Sequence, residues 1–408
     1  MAGKMIRKLG IYIHIPFCAS KCAYCNFYSV AGGGDLIPGY QAALLKHIGE
    51  YSSQLDVYRV DTVYFGGGTP GYYGSDLLDG LYGSLKKHCH IQTGAEATVE
   101  VNPGSVSREA LKKLKRAGFN RISIGVQCAD DELLKKIGRT HSFADAVSTV
   151  ENARSAGFSN ISVDIIYGLP SQDRDSWAET LEKTVALRAD HISCYGLKLE
   201  EGTRLYRSRG ELLLPDDDAQ ADMYLHAVDA LGSSGYSQYE ISNFARQGFE
   251  SKHNLKYWRG DEYLGLGPGA HSFIGGARFS FVEDVEEYSG RVLQGQAVVA
   301  SSEKVTRIDS ASEYLMLRLR TTEGISLEEH SNLYGLKTDL ILDLLQKYEA
   351  AGWASHNSGR WSFTPTGFLL SNTLIADILD AMQNRIPAAW VAAPVHAARK
   401  DSGMEPAE

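Results

Sequence analysis

The sequence predicts an α/β fold, an open six-unit (β/α)6 partial barrel followed by a smaller, mostly helical, winged-helix-like domain. Two patterns predict it. Six short apolar runs alternate with helical segments between residues 11 and 199, and each run ends in Gly, Pro or polar residues. From about Thr306 the period becomes helical and closes on a hairpin. Alternating βα units require parallel strands with right-handed crossovers, and their chemistry collects at the C-terminal strand ends.

The first strand is carried by Ile11, Ile13 and Ile15, which alternate with Tyr12 and His14 until Pro16 stops the run. The loop behind it holds Cys18, Cys22 and Cys25, half of the six cysteines, in a C-x3-C-x2-C spacing. Three thiolates so close in sequence can converge on one soft metal centre. Structural zinc takes four protein ligands, and no fourth Cys or His stands at finger spacing. A [4Fe–4S] cube held by three cysteines instead keeps one iron open for another molecule.

After the connector A-G-G-G-D, a helix is expected over 36–55 and a strand over 60–65 that ends in Gly66-Gly67-Gly68-Thr69-Pro70. A helix over 75–89 leads to a strand over 97–101 that ends in E-V-N-P-G. Ser107 caps a helix that Gly118 closes. A strand over 121–126 ends at Gln127, helices follow at 130–137 and 142–156, and a strand over 161–167 precedes Gly168-Leu169-Pro170. A helix over 171–187 and a strand over 191–199 complete six units, and no further unit is legible, so the barrel reads as open.

From Gly202 the pattern changes. A helix over 219–231 and a strand over 236–241 are followed by 248–276, a stretch rich in glycine and aromatics with little periodicity. Helices over 310–320, 326–333 and 337–351 and a hairpin over 353–363 make the winged unit. Its helices lack a basic stripe, so packing rather than DNA binding is the reading. The expected domains are a barrel over 1–205, an extension over 206–300, the winged-helix-like domain over 301–382 and a loose tail over 383–408.

At 408 residues with a formal charge of −9, the chain has a large core and no electrostatic footprint for nucleic acid. No apolar run approaches the ~20 residues that span a bilayer, which leaves peripheral membrane contact open. The stretch before the first strand is too short for a signal peptide. Cysteines gathered for a metal in such a chain point to a reducing, cytoplasmic setting.

The cysteine loop, with the aromatic Tyr24, resembles that of the radical S-adenosylmethionine (SAM) superfamily, in which the open iron is chelated by the amino and carboxylate groups of SAM. The other strand ends suit such a ligand. Gly67 and Gly68 allow close backbone approach, Thr69 can hydrogen-bond there, and Glu100 can accept from ribose hydroxyls or the ammonium. Gln127, Arg139 and Asp164 complete a polar ring, Arg139 being suited to the SAM carboxylate.

A closer resemblance rests on G-G-G-T-P, E-V-N-P-G, R-I-S-I-G-V-Q and V-D-I-I-Y-G-L-P-S-Q. These are similar to the oxygen-independent coproporphyrinogen III oxidase family, from about Tyr12 through the winged unit. The resemblance implies a [4Fe–4S] cluster on Cys18, Cys22 and Cys25, and SAM contacts at Tyr12, Tyr24, Gly67, Gly68, Thr69, Glu100, Gln127, Arg139 and Asp164. Two departures stand against the oxidase reaction: Phe27 occupies the position of a further cysteine in the oxidase, and the oxidase's sizeable N-terminal extension has no counterpart before Tyr12.

His253-Asn254-Leu255-Lys256-Tyr257-Trp258 reads H-N-x-x-Y-W, a motif of a non-oxidase, heme-chaperone branch of the same family, where the histidine is linked to heme binding. Imidazole is an iron ligand, and Tyr257 and Trp258 offer flat apolar surface to a porphyrin. The resemblance therefore implies a protein that carries a cluster, an exchangeable SAM and heme, and passes heme to an acceptor protein. The alternative is a coproporphyrinogen III oxidase or another radical SAM enzyme acting on a tetrapyrrole. His14 and His271 are rival heme ligands. Cys89, Cys128 and Cys194 read as small buried apolar residues.

Overall fold

The computed structural model describes residues 7–386, and the expected tail beyond 386 lies outside the described residues. Twelve strands form one sheet. They are β1 (Arg7–Ile15), β2 (Tyr58–Gly67), β3 (Ile91–Val101), β4 (Arg121–Gln127), β5 (Ile161–Tyr167), β6 (His191–Gly196), β7 (Ser237–Glu240), β8 (Asn243–Ala245), β9 (Tyr263–Leu266), β10 (His271–Ile274), β11 (Ala277–Phe281) and β12 (Val299–Lys304). Their order across the sheet is β12-β11-β10-β9-β1-β2-β3-β4-β5-β6-β8-β7. Strands β1 to β6 pair in parallel with one another in chain order, which is the six-unit barrel that the sequence predicts, and β8 closes on β6 antiparallel.

Crossover helices α1 (Ile37–Glu50), α2 (Ser75–His88), α3 (Arg108–Ala117), α4 (Phe143–Ser155) and α5 (Arg174–Ala186) cover the outer face. Ser107 accepts from the Ala110 N–H and Gly118 closes α3 in the left-handed conformation, as its sequence signals. Ser142 and Asp145 form a capping box on α4. Ile11, Val63, Val99, Ile124 and Ile165 alternate along the strands and join Leu44, Leu81, Leu111 and Trp177 in one core. The alternate positions are polar and buried too, among them Thr62, Thr98, Arg121, Ser123, Ser162 and Ser193. A strand residue changes face every step, so this second set lines the lumen of the barrel.

The structure corrects three readings. Strand β3 begins at Ile91 rather than 97, because a largely exposed segment, Ile91-Gln92-Thr93-Gly94, continues the ladder without an apolar pattern to announce it. The sixth strand stops at Gly196, short of 199. The stretch 248–276 is not irregular. It contains α7 (Lys252–Arg259), numbered after α6 (Asp217–Ser233), and strands β9 and β10. One eight-residue helix and two four-residue strands are too short to show a period. Strand β9 adds to β1 in parallel, and β10 to β12 continue that edge antiparallel.

Residues beyond 305 pack α8 (Arg307–Arg318), α9 (Leu327–Tyr334), α10 (Asp339–Ala350) and α11 (Ser371–Gln383) around Leu315, Ile325, Leu345, Trp361 and Ile378. The hairpin Ala354–Asn357 and Arg360–Phe363 turns on Ser358 and Gly359, both at positive φ (51° and 77°), which matches the twist of its strands. Among the described residues no helix is long and apolar enough to cross a membrane.

Candidate functional site

A cavity of about 540 Å³ opens at the C-terminal ends of β1 to β6. Cys18, Cys22, Tyr24, Cys25, Gly67, Gly68, Thr69, Glu100, Gln127, Arg139 and Asp164 all line it. Tyr12 is not part of that lining; it pairs in register with Tyr64, which is, and stacks on it at 6.2 Å with its hydroxyl 3.0 Å from His14 Nδ1.

Local backbone geometry accounts for the convergence. The cysteine loop is pinned by Phe17–Cys18 pairing with Val30–Ala31 and by the Ala23 N–H donating to the Ile137 carbonyl at 2.9 Å. The N–H groups of Gly68 and Thr69 donate to the carbonyls of Ile15 and Phe17, both at 2.8 Å, so the glycine turn lies flat against the end of β1. A Cβ on Gly68 would stand 2.8 to 2.9 Å from main-chain atoms of Ile15 and Phe17. Only glycine fits there. Between Gly125 and Gln127 the β4–β5 register slips, and Gln127 adopts φ 68°, a bulge that re-aims its side chain.

The charges are paired across strands. Tyr64 donates its hydroxyl to Glu100 Oε1 at 2.6 Å, and the Gly67 N–H to Oε2 at 3.3 Å. Burial nevertheless pushes the Glu100 carboxyl up to about 7. Asp164 is also raised by burial, against the pull of Ser193, Arg121 and Ser123, whose hydroxyl lies 3.2 Å from both carboxylate oxygens. Arg139 donates to Asn102 Oδ1 at 2.8 Å, to the Gly125 carbonyl and, at 3.4 Å, to Cys22 Sγ. Thr69 donates to Cys18 Sγ at 3.5 Å. The Nε atoms of Arg139 and Arg121 are buried and find no acceptor in the protein.

Below this cavity α7 fills the lumen. The Glu96 carboxylate caps its N-terminus, accepting from Lys252 N–H at 3.2 Å and His253 N–H at 3.0 Å. His253 is only 1% exposed, with Nδ1 2.8 Å from Thr62 Oγ1, Nε2 2.9 Å from the Tyr257 hydroxyl, and its ring stacked on Tyr64 at 5.2 Å. Burial, with Lys256 and Arg121 nearby, lowers its pKa to about 3, so it is neutral near pH 7. The structure thus separates His253 from the surface. Tyr257 and Trp258 are half-buried, His14 is buried beside Tyr28, and His271 is exposed on β10.

Lys256, 4% exposed, places Nζ 2.7 Å from Asp61 Oδ1, an ion pair at an angle outside hydrogen-bond geometry. Removing one partner strands the other in a poorly solvated site. Asp61 keeps some solvent, so Lys256→Ala should cost about 2–3 kcal/mol, below the about 3–5 of a fully buried pair. Urea unfolding of the variant measures this, and an unchanged midpoint would show the pair to be energetically idle.

The donor set fits a cluster with SAM. Among the described residues no group of three or more His, Cys, Asp or Glu is arranged to hold a metal ion. Three free cysteines instead rim a roomy cavity, whose lining also holds the guanidinium side chains of Arg121 and Arg139. Comparisons with known proteins point to the same cofactors. The radical SAM superfamily profile matches residues 12–184, and the HemN C-terminal domain profile matches 305–370. The chain is 35% identical over 378 residues to the heme chaperone HemW of Lactococcus lactis, covering 90% of this chain and 96% of the relative. It is 36% identical over 372 residues to HemW of Bacillus subtilis, covering 90% and 98%.

The chain belongs to the HemW family.

The solved coproporphyrinogen III oxidase HemN of Escherichia coli superposes with a TM-score of 0.80 at 23% identity, covering 92% of this chain and 90% of the oxidase, and shows the shared fold. Membership of the HemW family brings the radical SAM domain and with it a [4Fe–4S] cluster and SAM as cofactors. Several residues of this HemW-family cavity escaped the sequence reading: Tyr64, Asn102, Arg121, Ser193 and Tyr195; Asn254, read only as part of the H-N-x-x-Y-W motif, lines it as well. The one available signal was polar residues at every second position of β2, β4 and β6, within otherwise apolar runs.

Proposed function

We propose that this protein is a heme chaperone that binds heme, carries a [4Fe–4S] cluster on Cys18, Cys22 and Cys25 with an exchangeable SAM, and passes heme to an acceptor protein. The observation that carries the heme reading is the likeness, over about nine tenths of the chain, to relatives named heme chaperones. The cavity supports the cofactor reading. Tyr24, Gly67, Gly68, Thr69, Glu100, Gln127, Arg139 and Asp164 would hold SAM, with Tyr12 stacked on Tyr64 of the cavity wall. When bound, a cube with three cysteine ligands offers one iron to SAM and can pass it an electron. Arg139 meets the SAM carboxylate, and Glu100 takes its ammonium or ribose hydroxyls. Phe27, 69% exposed at the rim, stands where the oxidase reading needs a further cysteine.

His253, with Tyr257 and Trp258, is the heme-binding group. Heme titrated into the anaerobically reconstituted protein should give a saturable absorbance change, and His253→Ala should weaken binding at least about tenfold, roughly 1.4 kcal/mol. Equal affinity of the variant would remove His253 and direct attention to His14 and His271. Anaerobic conversion of coproporphyrinogen III to protoporphyrinogen would replace the chaperone reading with the oxidase.

A further inference from the structure

His253 occupies a place that a heme iron cannot reach. Both ring nitrogens are engaged, at 2.8 Å from Thr62 Oγ1 and 2.9 Å from the Tyr257 hydroxyl. One face stacks on Tyr64, the Tyr257 ring meets it edge-on at 5.2 Å, and a Cβ on Gly10 would lie 3.3 Å from its Cε1. An iron–imidazole bond needs a free ring nitrogen at about 2 Å from the metal and open space for the macrocycle across that bond. Neither exists while α7 stays in the barrel.

The same helix forms the floor of the SAM cavity. Asn254 lines that cavity directly. His253 supports Tyr64, and Tyr64 in turn holds Glu100 by a 2.6 Å hydrogen bond. Glu96, which binds the N-terminus of α7, neighbours Arg121, the guanidinium that reaches the cavity. Lifting α7 would remove Asn254, unstack Tyr64 and leave Glu96 without its two N–H donors.

We infer that His253 serves two ligands in alternation. With α7 seated it positions the SAM cavity through Tyr64 and Glu100; with α7 displaced it becomes available to heme, so SAM and heme bind with negative linkage. This rests on the heme-chaperone reading with His253 as ligand. In the seated state His253 is a positioning residue, acting on SAM only through Tyr64. Linkage is reciprocal, so each ligand must weaken the other by one common factor.

The test uses the reconstituted [4Fe–4S] protein. Heme affinity is measured by visible absorbance with and without saturating SAM, and SAM affinity by calorimetry with and without bound heme. Both should fall about fivefold or more, by the same factor. Tyr64→Phe, which keeps the ring and loses the hydroxyl, should weaken SAM and shrink the coupling while leaving SAM-free heme affinity in place. Heme binding that depends on His253 but ignores SAM, or that SAM strengthens, overturns the inference and leaves the chaperone reading standing. Heme affinity unchanged in His253→Ala overturns both this inference and the ligand assignment beneath it. An absence of heme binding overturns the chaperone reading as well.

Discussion

Alanine at Cys22 should abolish the cluster. The reconstituted protein should hold about four irons and four sulfides, and Cys18→Ala, Cys22→Ala or Cys25→Ala should each hold close to none. All three thiols come from one loop and share one cavity, so two remaining thiolates cannot keep a cube that already lacks a fourth protein ligand. The fold should survive, because Cys22 and Cys25 are half-buried and the loop is tied down by main-chain bonds that alanine keeps. Cys128→Ala is the control: Cys128 is fully buried with its thiol against Thr180 and does not line the cavity, so its loss should leave iron content untouched. Iron and sulfide quantification decides the matter. Full iron in any of the three loop variants would contradict the ligand assignment.

Valine at Gly68 should eliminate SAM binding. The added Cβ meets main-chain oxygens and nitrogen at 2.8 to 2.9 Å, and the backbone cannot yield without breaking the Gly68 and Thr69 bonds to the carbonyls of Ile15 and Phe17. Overpacking of this kind costs about 1–3 kcal/mol of stability. The larger effect falls on the cavity, whose wall at Gly67, Gly68 and Thr69 would shift as a unit. SAM affinity by calorimetry should drop at least about tenfold, roughly 1.4 kcal/mol. Gly83→Ala separates the two effects. It lies inside α2 with nothing within 4 Å of a Cβ, so it should stabilise by about 0.5–1 kcal/mol and leave SAM binding alone. A Gly68→Val protein that binds SAM like the parent would show that the turn does not frame the ligand.

The strand ends were legible because each is written locally. Cys18, Cys22 and Cys25, the Gly66-Gly67-Gly68-Thr69-Pro70 turn, Glu100 and Gln127 all follow an apolar run that names its own strand, and parallel βα units bring such ends together. Tyr12 shows the limit of that logic: it is not part of the cavity lining although Tyr64, its register partner on β2, is, so height along a strand does not by itself decide which side chains reach the cavity. The segment 248–276 shows another. Its helix and strands are shorter than the window over which a period can be seen, and β9 gains its place only by pairing with β1 from the far side of the chain.

By itself, then, the sequence determined the order of the βα units, the open six-unit barrel and the residues at the strand ends, because alternation and turn chemistry are local properties. The tertiary structure alone decided what fills the lumen. The packing of α7 under Tyr64, the Glu96 carboxylate on its N-terminus and the burial of His253 depend on contacts between residues far apart in the chain. Such contacts leave no periodic trace, since a histidine among aromatics reads the same whether it faces solvent or a barrel.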